Sequence, residues 1–300
     1  MNTGTLRTAG LIALKAVVSG ILLVTVFRKA GLQNVLAHLR DMDLRLFVCS
    51  SLVYLLLLFL AAIRWSILLG GEHRASRLYS LTLIGAFFNN LLPGSVGGDA
   101  VRAYYLYRDT GKSGKSIASV FLDRYVGYAG LLCIGLVSGL VAFRDLAAVG
   151  MQWISPLLFA AFVLGSLVVF GMRIGRRFST LADFYDFFHD RVRDRGAMAK
   201  AFLLSLAVQG LAILMVWLIA RGLDQRPSFA ALFVFVPIVF TVMMVPLSIS
   251  GLGVREGAFV LLFGLTGISA EASTTISFLW FLSVAAASLA GLIEYVRQRR

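Results

Sequence analysis

Apolar runs of about 20 residues recur along this chain, and no other feature restricts its fold so strongly. Six of them are Ala9–Phe27, Leu46–Ile63, Ser116–Phe143, Ser155–Met172, Ala201–Ala220 and Thr274–Ile293. At ~1.5 Å per residue, a helix of that length crosses a ~30 Å hydrocarbon layer. Two further runs, Leu78–Leu92 and Phe229–Leu247, are shorter or more broken. Of the 300 residues, 59% are hydrophobic and 14% are charged. A water-soluble domain would carry nearly twice that charged fraction, about 25%. The chain is thus expected to be an all-α protein crossing the membrane repeatedly, with no soluble domain able to act alone.

A net charge of +13 invites a nucleic-acid reading, but the basic residues form no single patch. They flank the apolar runs, where Lys and Arg set orientation and meet anionic headgroups, so no nucleic-acid partner is expected. If the N-terminus is cytoplasmic, the inside segments are Glu72–Arg77, Arg108–Lys115, Arg173–Lys200 and the tail with Arg297, Arg299 and Arg300. Most Lys and Arg then lie inside, as orientation in a cell inner (plasma) membrane requires. The exception is the outer segment with Arg28, Lys29, Arg40 and Arg45. Its Gly31–Arg45 stretch looks amphipathic, as does part of Phe178–Arg195, and both suit the membrane surface. No cleavage site follows Phe27, so Ala9–Phe27 is read as a retained span. Cys49 and Cys133 lie in apolar runs and are read as small core residues. His38, His73 and His189 are scattered, so no metal, disulfide or cofactor is expected.

Two segments in opposite halves match without gaps. Pro93 pairs with Pro246, Ser95 with Ser248, Gly98 with Gly251, Val101 with Val254 and Arg102 with Arg255. Each copy follows two long runs and a shorter one, and precedes a short helix-compatible stretch and one more long run. The chain therefore reads as a single transmembrane domain, residues 1–300, built from halves of about 1–150 and 151–300. Each half holds three spans and one interrupted, re-entrant hairpin, giving about six spans and two hairpins. Three is odd, so the halves would enter the membrane from opposite sides, the inverted-repeat plan of many transporters.

Pro93 and Pro246 each stop an apolar helix, because Pro has no N–H and disfavours helix before it. A new helix then starts, with Asp99 as N-cap in the first copy and Ser250 or Gly253 in the second. Arg102 and Arg255 would fall within the first turn. A cation is out of place there unless an anion is present, since a helix N-terminus is already partly positive. A phosphate would reverse every sign: amides donate, the dipole attracts and the guanidinium grips two oxygens. Arg102, Arg255, Gly97, Gly98, Ser248, Gly251 and Gly253 are therefore expected to hold a lipid headgroup, at two sites facing each other across the repeat. The competing expectation is that both arginines snorkel to the headgroup level, or pair with Asp99 and Glu256.

The copies are not equivalent. Asn89 and Asn90 precede the first proline, where the second copy has Val242 and Met243. Asp123 and Arg124 interrupt the next span, where the second copy has Ile276 and Ser277. The asparagines are expected to bond between helices, and Asp123–Arg124 to form either a self-satisfied pair or part of the working site. Tyr104, Tyr105 and Tyr107 read as an interfacial belt.

Asn90-Leu91-Leu92-Pro93 with Gly97-Gly98-Asp99 and Arg102, then Asp123-Arg124 with Gly127, then Pro246-x-Ser248-x-x-Gly251-x-Gly253-x-Arg255-Glu256-Gly257, resembles the lysylphosphatidylglycerol synthase transmembrane-region family. The resemblance covers nearly the whole chain. It implies a flippase-type region that moves aminoacylated phosphatidylglycerol between leaflets. In full-length relatives a separate cytosolic domain performs the synthesis, and here the sequence stops at Arg300, so lysyl transfer is not expected of it.

The first expectation is thus a flippase or scramblase for an anionic or phosphate-bearing lipid: an aminoacylated phosphatidylglycerol, a hopanoid-related lipid or an isoprenoid-linked one. No Walker-type phosphate loop is present, so ATP hydrolysis is not expected. The alternatives are a non-catalytic membrane partner of a separate lipid synthase or glycosyltransferase, and an intramembrane enzyme using Asp99, Asp123 or Glu256 as acid or base.

Overall fold

A computed structural model of the protein describes residue 33 and residues 38–91, 97–171, 179–244 and 251–299. Among these residues the secondary structure is helical throughout. In lipid no water can satisfy a backbone N–H or C=O, and a helix satisfies them within its own segment. The apolar runs accordingly become α1 (Leu44–Leu68), α2 (Ala75–Leu91), α3 (Gly97–Thr110), α4 (Ser113–Val141), α5 (Phe143–Ala148), α6 (Ile154–Ser166), α7 (Ser179–Arg193), α8 (Arg195–Gly222), α9 (Phe229–Met244), α10 (Val254–Gly264) and α11 (Ala270–Arg299). Four of them, α1, α4, α8 and α11, are long and apolar enough to cross a membrane. The expected run Ser155–Met172 is α6 continued by a π-helical turn at Leu167–Gly171. The expected span Ala9–Phe27 lies outside the described residues, as do Pro93, Pro246 and Ser248.

Along α1, Leu44, Val48, Leu52, Leu56 and Phe59 are exposed at helical spacing. An apolar stripe like this would be a liability in water and is the ordinary outer face of a helix in lipid. α7 is amphipathic as expected: Tyr185 and Phe188 are buried while Asp186, Asp190 and Arg193 are exposed. Cys49 departs from expectation, because it lies exposed on α1 rather than in a core.

The chain divides into two compact units. One, the Arg255 unit, takes the described residues of Met1–Tyr54, Asn89–Gly97 and Ile213–Ala287; the other, the Arg102 unit, takes those of Leu55–Phe88, Gly98–Ala212 and Ser288–Arg300. Both units therefore draw residues from either side of residue 150.

In the Arg102 unit, α2 and α3 form an antiparallel pair. Leu78, Leu81 and Ile84 of α2 share a core with Tyr105 and Leu106 of α3, Ala62, Trp65 and Leu69 of α1 and Val120 of α4. Tyr105 is thus a core residue, which corrects its place in the expected aromatic belt; Tyr104 and Tyr107 are exposed. A second core joins Leu68, Leu122, Val126, Phe188 and Ala201. Phe170, on the π turn, stacks on Phe188 at 4.0 Å between ring centroids, which ties α7 to the rest. The last turns of α11 lie against α2: a Cβ at Gly291 would run into the Leu83 carbonyl, and Ser80 Oγ donates to Glu294 Oε2 at 2.6 Å while accepting from Gln298 Nε2 at 2.9 Å.

In the Arg255 unit, α9 and α10 pack as a pair through Phe235 and Phe263. Pro237 sits inside α9, and Thr241 Oγ1 donates to the Pro237 carbonyl at 2.8 Å. Ser283 of α11 meets Ser50 and Ser51 of α1 at 3.0 and 3.2 Å. Small hydroxyl residues of this kind join helices where lipid gives no hydrophobic drive, each contact contributing about 0.6 kcal/mol. The described residues of α2 and α9 number 17 and 16.

Candidate functional site

The strongest concentration of charge in the Arg102 unit is built from three helices. α1 brings Arg64 and Trp65 one turn before its end, α3 brings Asp99 and Arg102, and α4 brings Asp123 and Arg124. Asp123 accepts from Arg64 Nε at 2.8 Å through one oxygen and from Arg102 Nη2 at 3.1 Å through the other. Arg64 Nη1 also donates to Ser205 Oγ of α8 at 2.9 Å. Asp99 is held by Arg124, whose Nε donates to Oδ2 at 2.8 Å and Nη2 to Oδ1 at 3.0 Å, with Arg102 Nη1 at 3.5 Å beside it.

The expected self-pairing of Asp123 with Arg124 is therefore not what forms. Neighbours on a helix point about 100° apart, so Asp123 turns inward to Arg64 and Arg102 while Arg124 turns to Asp99. The two carboxylates differ sharply in setting. Asp123 and Arg64 side chains are 2% and 6% exposed, whereas Arg124 is half exposed. Removing a buried ion from water costs several kcal/mol, and it is tolerated only with close partners. Asp123 has them.

Arg102 is 4% exposed and lies face-on to Trp65, its Cζ 4.2 Å from the ring centroid. Trp65 is itself fixed by donating Nε1–H to Ser119 Oγ at 3.2 Å. Two glycines leave room for the arginines. A Cβ at Gly85 would lie 2.6 Å from Arg102 Cγ, and one at Gly127 would lie 2.9 Å from Arg64 Nη1. Gly127 thus earns its place in the motif by making space for a guanidinium.

Two expectations about this region are corrected. Helix α3 begins at Gly97, so Asp99 is inside its first turn rather than the N-cap. Arg102 consequently falls in the second turn, which is what lets it reach Asp123. The buried Arg102 Nε has no hydrogen-bond partner among the described residues. Among the described residues, the guanidiniums of Arg64, Arg102 and Arg124 here meet the carboxylates of Asp99 and Asp123.

The Arg255 unit holds a smaller arrangement. Gly251 and Gly253 have φ of +75° and +82°, a conformation that costs other residues energy. Gly253 is the N-cap of α10, as expected. Its N–H donates to Glu256 Oε2 at 2.7 Å. The other Glu256 oxygen takes Arg255 through Nε at 3.0 Å and through Nη2 as well. Arg255 Nε also reaches Ser277 Oγ at 2.9 Å, and its guanidinium lies over Phe281 at 4.9 Å. Here Arg255 is in the first turn, as expected, and a carboxylate from its own helix fills the anion position. The structure thus realises the pairing of Arg255 with Glu256, while Arg102 pairs mainly with Asp123. Asn89 and Asn90 are half-buried at the end of α2.

Arg64, Trp65 and Ser205 were not anticipated as site residues. Arg64 lies one position past the apolar run taken as the second span, and four of the next five residues, Trp65, Ile67, Leu68 and Leu69, are again apolar. A cation within such a run, rather than at its end, was the available signal.

Long lipid-compatible helices around a buried arginine–carboxylate cluster define a polytopic helical membrane protein with a charged interior. The chain belongs to the family described as lysylphosphatidylglycerol synthase TM region, whose pattern it matches over residues 12–291. It is similar to a UPF0104 membrane protein from Methanothermobacter thermautotrophicus, 23% identical over 280 residues, covering 81% of this chain and 80% of that one. It is also similar to a UPF0104 membrane protein from Pyrococcus horikoshii, 29% identical over 101 residues, covering 32% of this chain and 30% of that one. No solved structure matches it.

Proposed function

We propose that the protein is a lipid translocase, a flippase or scramblase, that moves a lipid with a negatively charged phosphate headgroup between the leaflets of the cell inner membrane. One observation carries this reading: the guanidiniums of Arg64, Arg102 and Arg124 converge on the carboxylates of Asp99 and Asp123, with Arg64, Arg102 and Asp123 buried and Arg124 half exposed. Arginines are costly within a membrane and seek anionic partners, and a negatively charged headgroup is one. The family's description, a lipid synthase TM region, supports a lipid substrate of this class, such as an aminoacylated phosphatidylglycerol or a hopanoid-related or isoprenoid-linked lipid.

The headgroup contact assigned first is therefore Arg124 with Arg102. Arg255, already neutralised by Glu256, serves the headgroup only if that carboxylate gives way. Both carboxylates of the cluster are held by arginines, which leaves neither as a base; the protein is accordingly read as a carrier and not an enzyme. The two broken hairpins, α2/α3 and α9/α10, are read as inverted equivalents, with both termini cytoplasmic.

The test is leaflet exchange of fluorescent phosphatidylglycerol in vesicles holding the purified protein, compared with Arg124→Gln, Arg102→Ala and Arg255→Ala. Exchange above that of empty vesicles, reduced most by the first two changes, is expected. Exchange equal to empty vesicles across several anionic lipids would remove the translocase reading. If lipid chemistry then appears only with a separate synthase or glycosyltransferase present, the protein is that enzyme's membrane partner.

A further inference from the structure

We infer that Asp99 is a resident stand-in for the headgroup phosphate, occupying on Arg124 the place that a singly charged phosphodiester takes on binding. The inference deepens the translocase reading and rests on its headgroup-binding part.

Four observations lead there. Asp99 presents two oxygens to the Nε/Nη2 edge of Arg124, the same fork that two non-bridging phosphate oxygens would take. It sits in the first turn of α3, where the helix dipole favours an anion. Arg102, 4% exposed, aims Nη1 at the same carboxylate from 3.5 Å and leaves Nε unpartnered among the described residues. Finally, the Asp99–Arg124 pair is at the rim, with side chains 13% and 50% exposed, whereas Asp123 is 2% exposed and carries Arg64 as well.

The two carboxylates therefore divide the work. Asp123 neutralises the interior permanently. Asp99 keeps Arg124 extended and its charge covered while no lipid is present, and it yields to an anion that offers the same two-oxygen edge. A phosphatidylglycerol diester brings net negative charge to these arginines, whereas a choline headgroup brings the same diester with its own cation beside it.

A prediction contrary to ordinary ion-pair behaviour follows, because removing the carboxylate should strengthen binding. In detergent micelles, retention of phosphatidylglycerol and phosphatidylcholine by the full chain is measured by native mass spectrometry. Asp99→Asn is expected to hold phosphatidylglycerol about tenfold more tightly, since one charge-assisted competitor is gone. Arg124→Gln should lose the preference over phosphatidylcholine, and the double variant should resemble Arg124→Gln. Asp99→Ser gives the same prediction should the asparagine variant not fold. Equal or weaker phosphatidylglycerol retention by a folded Asp99 variant, or an intact preference in Arg124→Gln, overturns the inference. Inorganic phosphate added as competitor should not displace the lipid; displacement at equal concentration overturns the assignment to a lipid headgroup. Tighter binding in Asp99→Asn without leaflet exchange by the parent protein would retain the stand-in and remove the translocase, and the reverse result would do the opposite.

Discussion

Arg64 donates its Nε–H to Oδ1 of Asp123 across 2.8 Å, joining α1 to α4 between residues 59 positions apart. Both side chains are almost wholly buried, so the pair acts as an internal fastening between two spanning helices. Asp123 also holds Arg102 at 3.1 Å, so losing Asp123 strips two buried guanidiniums of a shared partner, whereas losing Arg64 leaves Asp123 paired with Arg102.

Asp123→Leu should destabilise the protein by about 3–5 kcal/mol and Arg64→Leu by less, with the double change clearly below the sum. Thermal or denaturant unfolding in detergent measures this. Additive losses would show that the pair is not coupled.

Gly127→Ala places a methyl group 2.9 Å from Arg64 Nη1. The guanidinium must shift, at a cost of about 1–3 kcal/mol. A shorter cation relieves the conflict, so Gly127→Ala should be less harmful in an Arg64→Lys background than alone. An unchanged melting temperature for Gly127→Ala would contradict the packing described.

Glu256 both caps α10 and neutralises Arg255. Glu256→Ala should therefore cost about 3–5 kcal/mol, because Arg255 is left buried and unpaired. Glu256→Gln keeps one oxygen for the Gly253 N–H and should cost less. Equal melting temperatures for the alanine variant and its parent would sink this account.

The proposed inversion of the halves predicts that Ser113 and Ser228 lie on opposite sides of the membrane. Single cysteines there, in a chain with Cys49 and Cys133 replaced, should react with an impermeant thiol reagent from opposite faces. Labelling of both from one face would exclude inversion.

Helical class and most helix positions were legible in the sequence because lipid imposes one rule on every apolar run. Helix ends were less so: α1 carries its apolar pattern five residues past Ile63, and the single Arg64 hid the continuation. The glycines of both motifs, Gly85 apart, were picked out, but what Gly127 accommodates was not, since Arg64 is remote in sequence. Which arginine meets which carboxylate was illegible for the same reason. Asp123 and Arg124 are adjacent in the chain but point about 100° apart around the helix, and only the arrival of α1 and α3 decides their partners.

The close seat of Gly291 on the Leu83 carbonyl, with Ser80 bonded to Glu294 and Gln298, leaves no play between α2 and the last turns of α11. Whatever displaces the hairpin arm must drag that helix end with it. A spin label at the exposed Arg297 would therefore serve as a remote pointer, registering from the rim of the protein any stroke made by α2.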